Sequence, residues 1–158
     1  MVLQAMKIEI NDALLSLIKQ FEGFKHLAYI CPAGMDTIGY GHVLSDAEKS
    51  KYKNGVSEKE AVDLLIEDCK EAFDQIAKVV KVNLNQNQMG ALISLVFNIG
   101  IGTFSKSRGL DYINKKDFIN AKKELFDSEI GFVKVNKVIF AGLVRRRLAE
   151  LKLWDLYV

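Results

Sequence analysis

Proline is nearly absent from this chain: Pro32 is the only one in 158 residues. Proline removes a backbone donor and breaks helix interiors, so its scarcity leaves room for long helices. Abundant Leu, Lys, Glu and Ala favour them further. Cysteine is also scarce. Cys31 and Cys69 are the only two, no C-x-x-C pair occurs, and only His26 and His42 could assist them. That excludes a recognisable metal-ligand spacing and a disulfide framework, and in a reducing compartment both thiols stay free. Long apolar runs are missing as well. A stretch such as GALISLVFNIGIG is too short and too glycine-rich to span a bilayer. The N-terminal MVLQAMKIEIND has no apolar core with a small-residue cleavage site. The expectation is a chain made in the cytoplasm and held there until something releases it, without stable membrane association.

What is present is ordinary for a globular protein: 49% hydrophobic and 27% charged residues, in a length that suits one domain with a sizeable core. The net charge of +2 hides an asymmetry. Residues 1–80 carry nine Lys/Arg against thirteen Asp/Glu, a balance of −4, and residues 81–158 carry thirteen against seven, a balance of +6. Solvated faces are the plain reading. A basic lobe facing an anionic polymer, nucleic acid or cell wall, is the functional one. The basic residues are not interleaved with exposed aromatics and no nucleic-acid motif is present, so no nucleic-acid partner is expected.

Apolar spacing predicts a first helix from Asp12 to Phe21 or Glu22, capped by Asn11 or Asp12 and stopped at Gly23. Leu14, Leu17, Ile18 and Phe21 form its apolar face. Residues 24–44 lose the helical period and read as two or three short strands with tight turns at Pro32, Gly34, Gly39 and Gly41. A short helix spans Ser45 to Lys53. Ser57 and Glu60 then form a capping-box pattern before a helix of about 24 residues, roughly 36 Å long. Val62, Leu65, Ile66, Cys69, Phe73, Ile76 and Val80 trace its apolar stripe. From Asn85 onward the pattern is helical, with candidates at Gln86 to Asn98, Phe104 to Asn114, Asp117 to Phe126 and Gly142 to Leu153. The expected fold is α+β. It has a strand-containing lobe at about 22–56, a bridging helix at about 57–80, and a helical lobe at about 81–158 that includes the first helix, 11–22.

Chemistry concentrates in FEGFKHLAYICPAGMDTIGYGH, residues 21–42. Glu22 ends the first helix, where unpaired carbonyls disfavour negative charge, and Phe21 and Phe24 flank it. Both effects favour the protonated acid that general-acid catalysis needs. Taken singly, Glu22 reads as a surface carboxylate, Cys31 as a small buried hydrophobe and Thr37 as a strand hydroxyl. Together, Glu22, eight residues, Cys31, five residues and Thr37 resemble the catalytic signature of the phage-type lysozymes (endolysins, glycoside hydrolase family twenty-four), whose middle position is Asp or Cys. AYICPAG followed by TIGYGH is close to that family's wording. ALISLVFNIGIGTF, INKKDFINAKKELF and GLVRRRLAELKLW extend the resemblance over roughly residues 10–155. DSEIGFVKVNKVIF departs from it by lacking the tryptophan common before the final helix.

The resemblance implies a lysozyme-like fold and hydrolysis of the β-1,4 bond between N-acetylmuramic acid and N-acetylglucosamine in peptidoglycan, with no cofactor and no metal. It implies Glu22 as general acid, Cys31 as the group orienting or activating water, and Thr37 as its helper, with inversion of configuration expected. Asn98 and Arg146 are implied in substrate binding, with one of Arg145, Arg146 and Arg147 approaching Glu22. His42 is implied to be structural and paired with Asp68. Asp36 is expected in a turn and Cys69 in the core. The implied partner is the glycan strand, and the implied setting is a monomer in the host bacterial cytoplasm that reaches the periplasm and wall through a holin at the end of infection. A lytic transglycosylase on the same fold and a catalytically inactive wall-binding module are the competing readings. A toxin or effector use of the domain is also compatible with the sequence.

Overall fold

The computed structural model describes residues 6–156. Its elements are α1 (Asp12–Glu22), β1 (Lys25–Ile30), β2 (Asp36–Gly39), β3 (His42–Val43), α2 (Asp46–Lys51), α3 (Glu58–Val79), α4 (Gln86–Ile99), α5 (Ile101–Ser105), α6 (Arg108–Asn114), α7 (Phe118–Phe126), β4 (Lys134–Val135), β5 (Val138–Ile139) and α8 (Ala141–Trp154). This is an α+β fold. The chain forms two compact units. One runs from Asn11 to Lys70, and the other takes Glu71 onward together with the segment before α1.

In the first unit, α1 begins where the Asn11 side chain accepts a hydrogen bond from the Leu14 amide at 3.0 Å, leaving Asp12 as the first helical residue. It ends at Gly23, whose φ of 69° suits glycine and whose amide bonds Lys19 O at 3.0 Å. The next segment forms an antiparallel sheet in the order β1-β2-β3. Tyr29 faces Thr37, Ile30 faces Asp36, and Ile38 faces His42. A bulge between Lys25 and Tyr29 shifts the register. Gly39, at φ 65°, lets the sheet approach the start of α3, where a β-carbon would meet the Ala61 side chain at 3.0 Å. Asp36 opens β2 instead of lying in a turn, and its carboxylate pairs with Lys49 at 2.9 Å.

The Ser57–Glu60 capping box is present, with both reciprocal bonds made at 2.8 and 3.1 Å. A second box, Ser45–Glu48, starts α2. The α3 stripe differs from its sequence reading. Ala61, Leu65, Cys69, Ala72 and Ile76 form the buried ridge, while Val62, Ile66 and Phe73 sit half-buried at its margins. Ala61 is small enough to let Gly39 of β2 approach the helix closely, and a pattern weighted toward large residues overlooks both alanines.

The second unit is built on α4, whose residues Met89 to Val96 are all buried and which packs against α8. Trp154 closes the far end, with its ring 5.9 Å from that of Phe118 and 6.0 Å from that of Phe126. Two sequence expectations fail here. The helix expected from Phe104 to Asn114 is two helices, because Ser107 intervenes: its hydroxyl donates to Phe104 O at 2.7 Å, ending α5, and accepts from the Leu110 amide at 3.1 Å, starting α6. Nor is the chain helical throughout after Asn85. Lys134–Val135 and Val138–Ile139 pair as an antiparallel hairpin, because Val and Ile at these positions fit a strand ladder better than a helix.

Candidate active site

Glu22 is the last residue of α1 and is half-buried. The bulged β1 strand carries Tyr29, and Cys31 follows directly after its last residue, Ile30. After Ile30 the chain turns tightly. Gly34 donates its amide to Cys31 O at 2.8 Å, and Cys31 donates its own to Met35 O at 2.9 Å. This turn brings Thr37 back beside Cys31. Thr37 is 3% exposed, and its hydroxyl donates to the same Met35 carbonyl at 3.0 Å.

The thiol of Cys31 is held below its ordinary pKa. The backbone amide of Met35 is the main cause and the Thr37 side chain the next, with burial opposing them. Hydrogen-bond donors favour the charged form of an acid, so this turn stabilises a thiolate. A hydroxyl has one proton and two lone pairs. Its one proton is on the Met35 carbonyl, so Thr37 supports a thiolate only when it turns that proton from the carbonyl to the sulfur. Tyr29 is shifted the opposite way. Burial raises its phenol, and the negative charges of Glu22 and Cys31 add to that. Glu22, Tyr29, Cys31 and Thr37 thus form one cluster within the first unit. Tyr29 was not singled out from sequence. Its position two residues before Cys31 on a strand was the available signal.

His42 lies outside this chemistry. Nδ1 is 2.8 Å from Asp68 Oδ2 and Nε2 is 3.1 Å from Glu48 Oε2. The hydrogen bond to Asp68 is the main cause of its pKa rising to about 9, with Glu48 assisting and burial opposing. The pairing with Asp68 matches the expectation, and Glu48 is an addition. Cys69 is fully buried, and burial, with Asp68 beside it, pushes its thiol up to about 12. It is a core residue.

Asn98 and Arg146 belong to the second unit. Asn98 sits exposed in the last turn of α4. With Ile99, Thr103, Phe132, Lys134, Val135 and Leu143 it lines an open pocket of about 310 Å³. The lining from Phe132 to Val135 depends on the hairpin and was hidden from a helical reading of that segment. Arg146 is 4% exposed. It donates to Ser94 O at 3.1 Å, and its Nε lies 3.3 Å from Glu150 Oε1. Arg147 is buried beside it, with Nε 2.7 Å from Glu150 Oε2 and a bond from its guanidinium to Phe132 O at 3.2 Å. The Ser94 hydroxyl donates to Glu150 Oε1 at 2.8 Å. Burial raises the Glu150 carboxyl, but two guanidinium groups at these distances act against protonation, and we read the cluster as ionised. Arg145 alone of the three points to solvent. Among the described residues, no group of three or more His, Cys, Asp or Glu could hold a metal ion, and no helix is long and apolar enough to cross a membrane.

Comparison with known proteins agrees with this geometry. The "Phage lysozyme" family model matches residues 19–150. The chain is 36% identical over 148 residues to an endolysin of Bacillus phage B103, covering 90% of this chain and 52% of that protein. It is 34% identical over 148 residues to an endolysin of Acyrthosiphon pisum secondary endosymbiont phage 1, covering 94% and 99%. The chain therefore spans about half the length of the Bacillus phage endolysins it matches and nearly all of the endosymbiont phage protein. Among solved structures, the muramidase domain of SpmX from Asticaccaulis excentricus superposes with a TM-score of 0.80 at 31% identity, covering 96% of this chain and all of that one. From its α1 acid to its buried arginine helix, this chain belongs to the phage lysozyme family.

Proposed function

We propose that this protein hydrolyses the β-1,4 bond between N-acetylmuramic acid and N-acetylglucosamine in peptidoglycan, as an endolysin does. The observation that carries the reading is the cluster in the first unit, where one turn sets Cys31 and Thr37 on a shared carbonyl with Glu22 as a neighbour. Glu22 protonates the leaving glycosidic oxygen. As that bond breaks, the sugar gains oxocarbenium character, and a water molecule adds to the anomeric carbon. Cys31, its thiolate stabilised chiefly by the Met35 amide, accepts the water's proton. Thr37 orients the water by exchanging its carbonyl partner for the incoming oxygen. Inversion of configuration follows if the water attacks from the face opposite Glu22.

Asn98 holds the substrate in this reading, and the buried Arg146 supports it by tying α8 to α4 through Ser94 and Glu150. Asn98 offers an amide at the mouth of an apolar pocket. The buried Ser94–Glu150 pair fixes the Arg146 guanidinium in one orientation. The positive balance of residues 81–158 attracts a wall polymer rich in carboxylates, so activity falls as salt rises. The protein acts as a monomer on glycan strands once a holin opens the way from the host cytoplasm to the wall.

Mass spectrometry of glycan fragments from digested sacculi tests the reaction. Hydrolysis adds one water to each cut strand. Products one water lighter, carrying an anhydro ring, would assign a lytic transglycosylase, and uncut sacculi would leave only a binding role.

A further inference from the structure

Apart from Lys134 and Val135, which line the Asn98 pocket, the β4–β5 hairpin has no part in the chemistry above. Residues 130–149 hold five cations and no carboxylate. Arg146 and Arg147 are buried against Glu150. The other three, Lys134, Lys137 and Arg145, are exposed and form no ion pair among the described residues. Between and beside them stand four large apolar side chains: Val135 is 45% exposed, Val138 60%, Ile139 46% and Phe140 51%. Val135 pairs with Val138 and Lys134 with Ile139, so these exposed apolar groups lie on both faces around the hairpin tip, and exposed apolar groups gathered in this way mark interaction surfaces.

The turn adds a second observation. Asn136 has φ 50° and Lys137 φ 66°, the two positive angles of a type I′ hairpin. Asn tolerates that conformation and glycine adopts it freely, but lysine is strained there. The chain keeps a cation at the hairpin tip where an uncharged residue would fold more easily. Strain of that kind points toward use.

We propose that the β4–β5 hairpin and Phe140 dock reversibly on an anionic lipid surface. Lys134, Lys137 and Arg145 face the lipid phosphates, and Val138, Ile139 and Phe140 enter the boundary between head groups and acyl chains. A glycan would need several hydrogen-bonding side chains, and between Val135 and Phe140 only Asn136 and Lys137 have polar ends. A second copy of the chain, docked symmetrically, would bring these cations against themselves. Charge and apolarity together fit an anionic membrane better than either.

Co-sedimentation of the intact protein with vesicles tests this without reference to turnover, so its outcome is separate from that of the hydrolase reading. The protein should pellet with vesicles of phosphatidylglycerol and phosphatidylethanolamine, far less at high salt, and hardly at all with phosphatidylcholine alone. Lys137→Gly should weaken partitioning about fivefold while leaving the melting temperature equal or higher, because glycine relieves the turn. Val138→Thr with Ile139→Thr, which keeps strand preference, should remove most remaining binding without changing cleavage of soluble glycan. The proposal is overturned by failure to pellet with phosphatidylglycerol vesicles, by undiminished binding of both variants, or by hairpin-dependent dimerisation or sacculus binding in place of vesicle binding.

Discussion

Replacing Asp68 with Asn should destabilise the protein in a pH-dependent way that can be worked out from one histidine. His42 is 14% exposed and lies 2.8 Å from Asp68 and 3.1 Å from Glu48, and its pKa rises from 6.5 to about 9. A group held above its unfolded pKa stabilises the fold fully below the unfolded value, and that contribution disappears as pH rises through the folded value. The window is therefore pH 6.5 to 9. At about 1.4 kcal/mol for each pH unit between the two values, the full effect is about 3 kcal/mol. Glu48 supplies part of it, and both carboxylates are partly exposed, at 22% and 29%. Asp68→Asn should accordingly cost about 2 kcal/mol near pH 6, roughly 4–8 °C in melting temperature for a chain of this size.

Thermal and urea unfolding followed by circular dichroism from pH 5.5 to 10 reads this directly. Wild type and Asp68→Asn should differ most at pH 6 and converge above pH 9, where His42 is neutral in both. A gap that stays constant across that range would show that the pair contributes packing and not charge, and the linkage argument would fail. Glu48 imposes the opposite slope on the acid side. Its pKa is lowered, first by the Ser45 amide and then by His42, so its contribution is present above about pH 4.5 and is lost as the pH falls through its folded pKa.

Further substitutions probe the other clusters. Cys31→Ala should lower turnover sharply, whereas Cys31→Asp should retain much of it, since a carboxylate can take the same amide and hydroxyl donors; wild-type activity in Cys31→Ala would reduce Cys31 to packing. Glu150→Ala leaves Arg146 and Arg147 buried without their shared counter-charge and should cost about 3–5 kcal/mol in urea unfolding. A loss under about 1 kcal/mol would mean that water or a rearranged neighbour replaces the carboxylate.

Much of this fold could be read from local pattern. The 3.6-residue spacing of Leu14 and Ile18, the Ser57–Glu60 box and the glycines of TIGYGH each act through neighbours a few residues away, and α1, α3 and the sheet formed where those signals placed them. The hairpin escaped because its strands are two residues long and its turn, Asn136–Lys137, lacks the glycine that usually announces such a turn. Ser107 escaped because a single capping serine is a weak signal against a continuing apolar pattern. The candidate site divides in the same way. Glu22, Cys31 and Thr37 lie within sixteen residues of one another, so their spacing is visible in the letters. The anchoring of Arg146 by Ser94 and Glu150 joins positions on two helices, α4 and α8, and emerges only once those helices pack. Tyr29 was legible in position but not in role, since a strand tyrosine is ordinary until its charged neighbours are known.

The central claim is that Glu22 delivers the proton that breaks the glycan. Glu22→Gln preserves shape and removes that proton, so glycan release from purified sacculi, measured alongside melting temperature, is the most direct test. The account predicts loss of release by about a hundredfold or more, as expected for a general acid, with the melting temperature essentially retained. Release at the wild-type rate from a folded Glu22→Gln protein would contradict it.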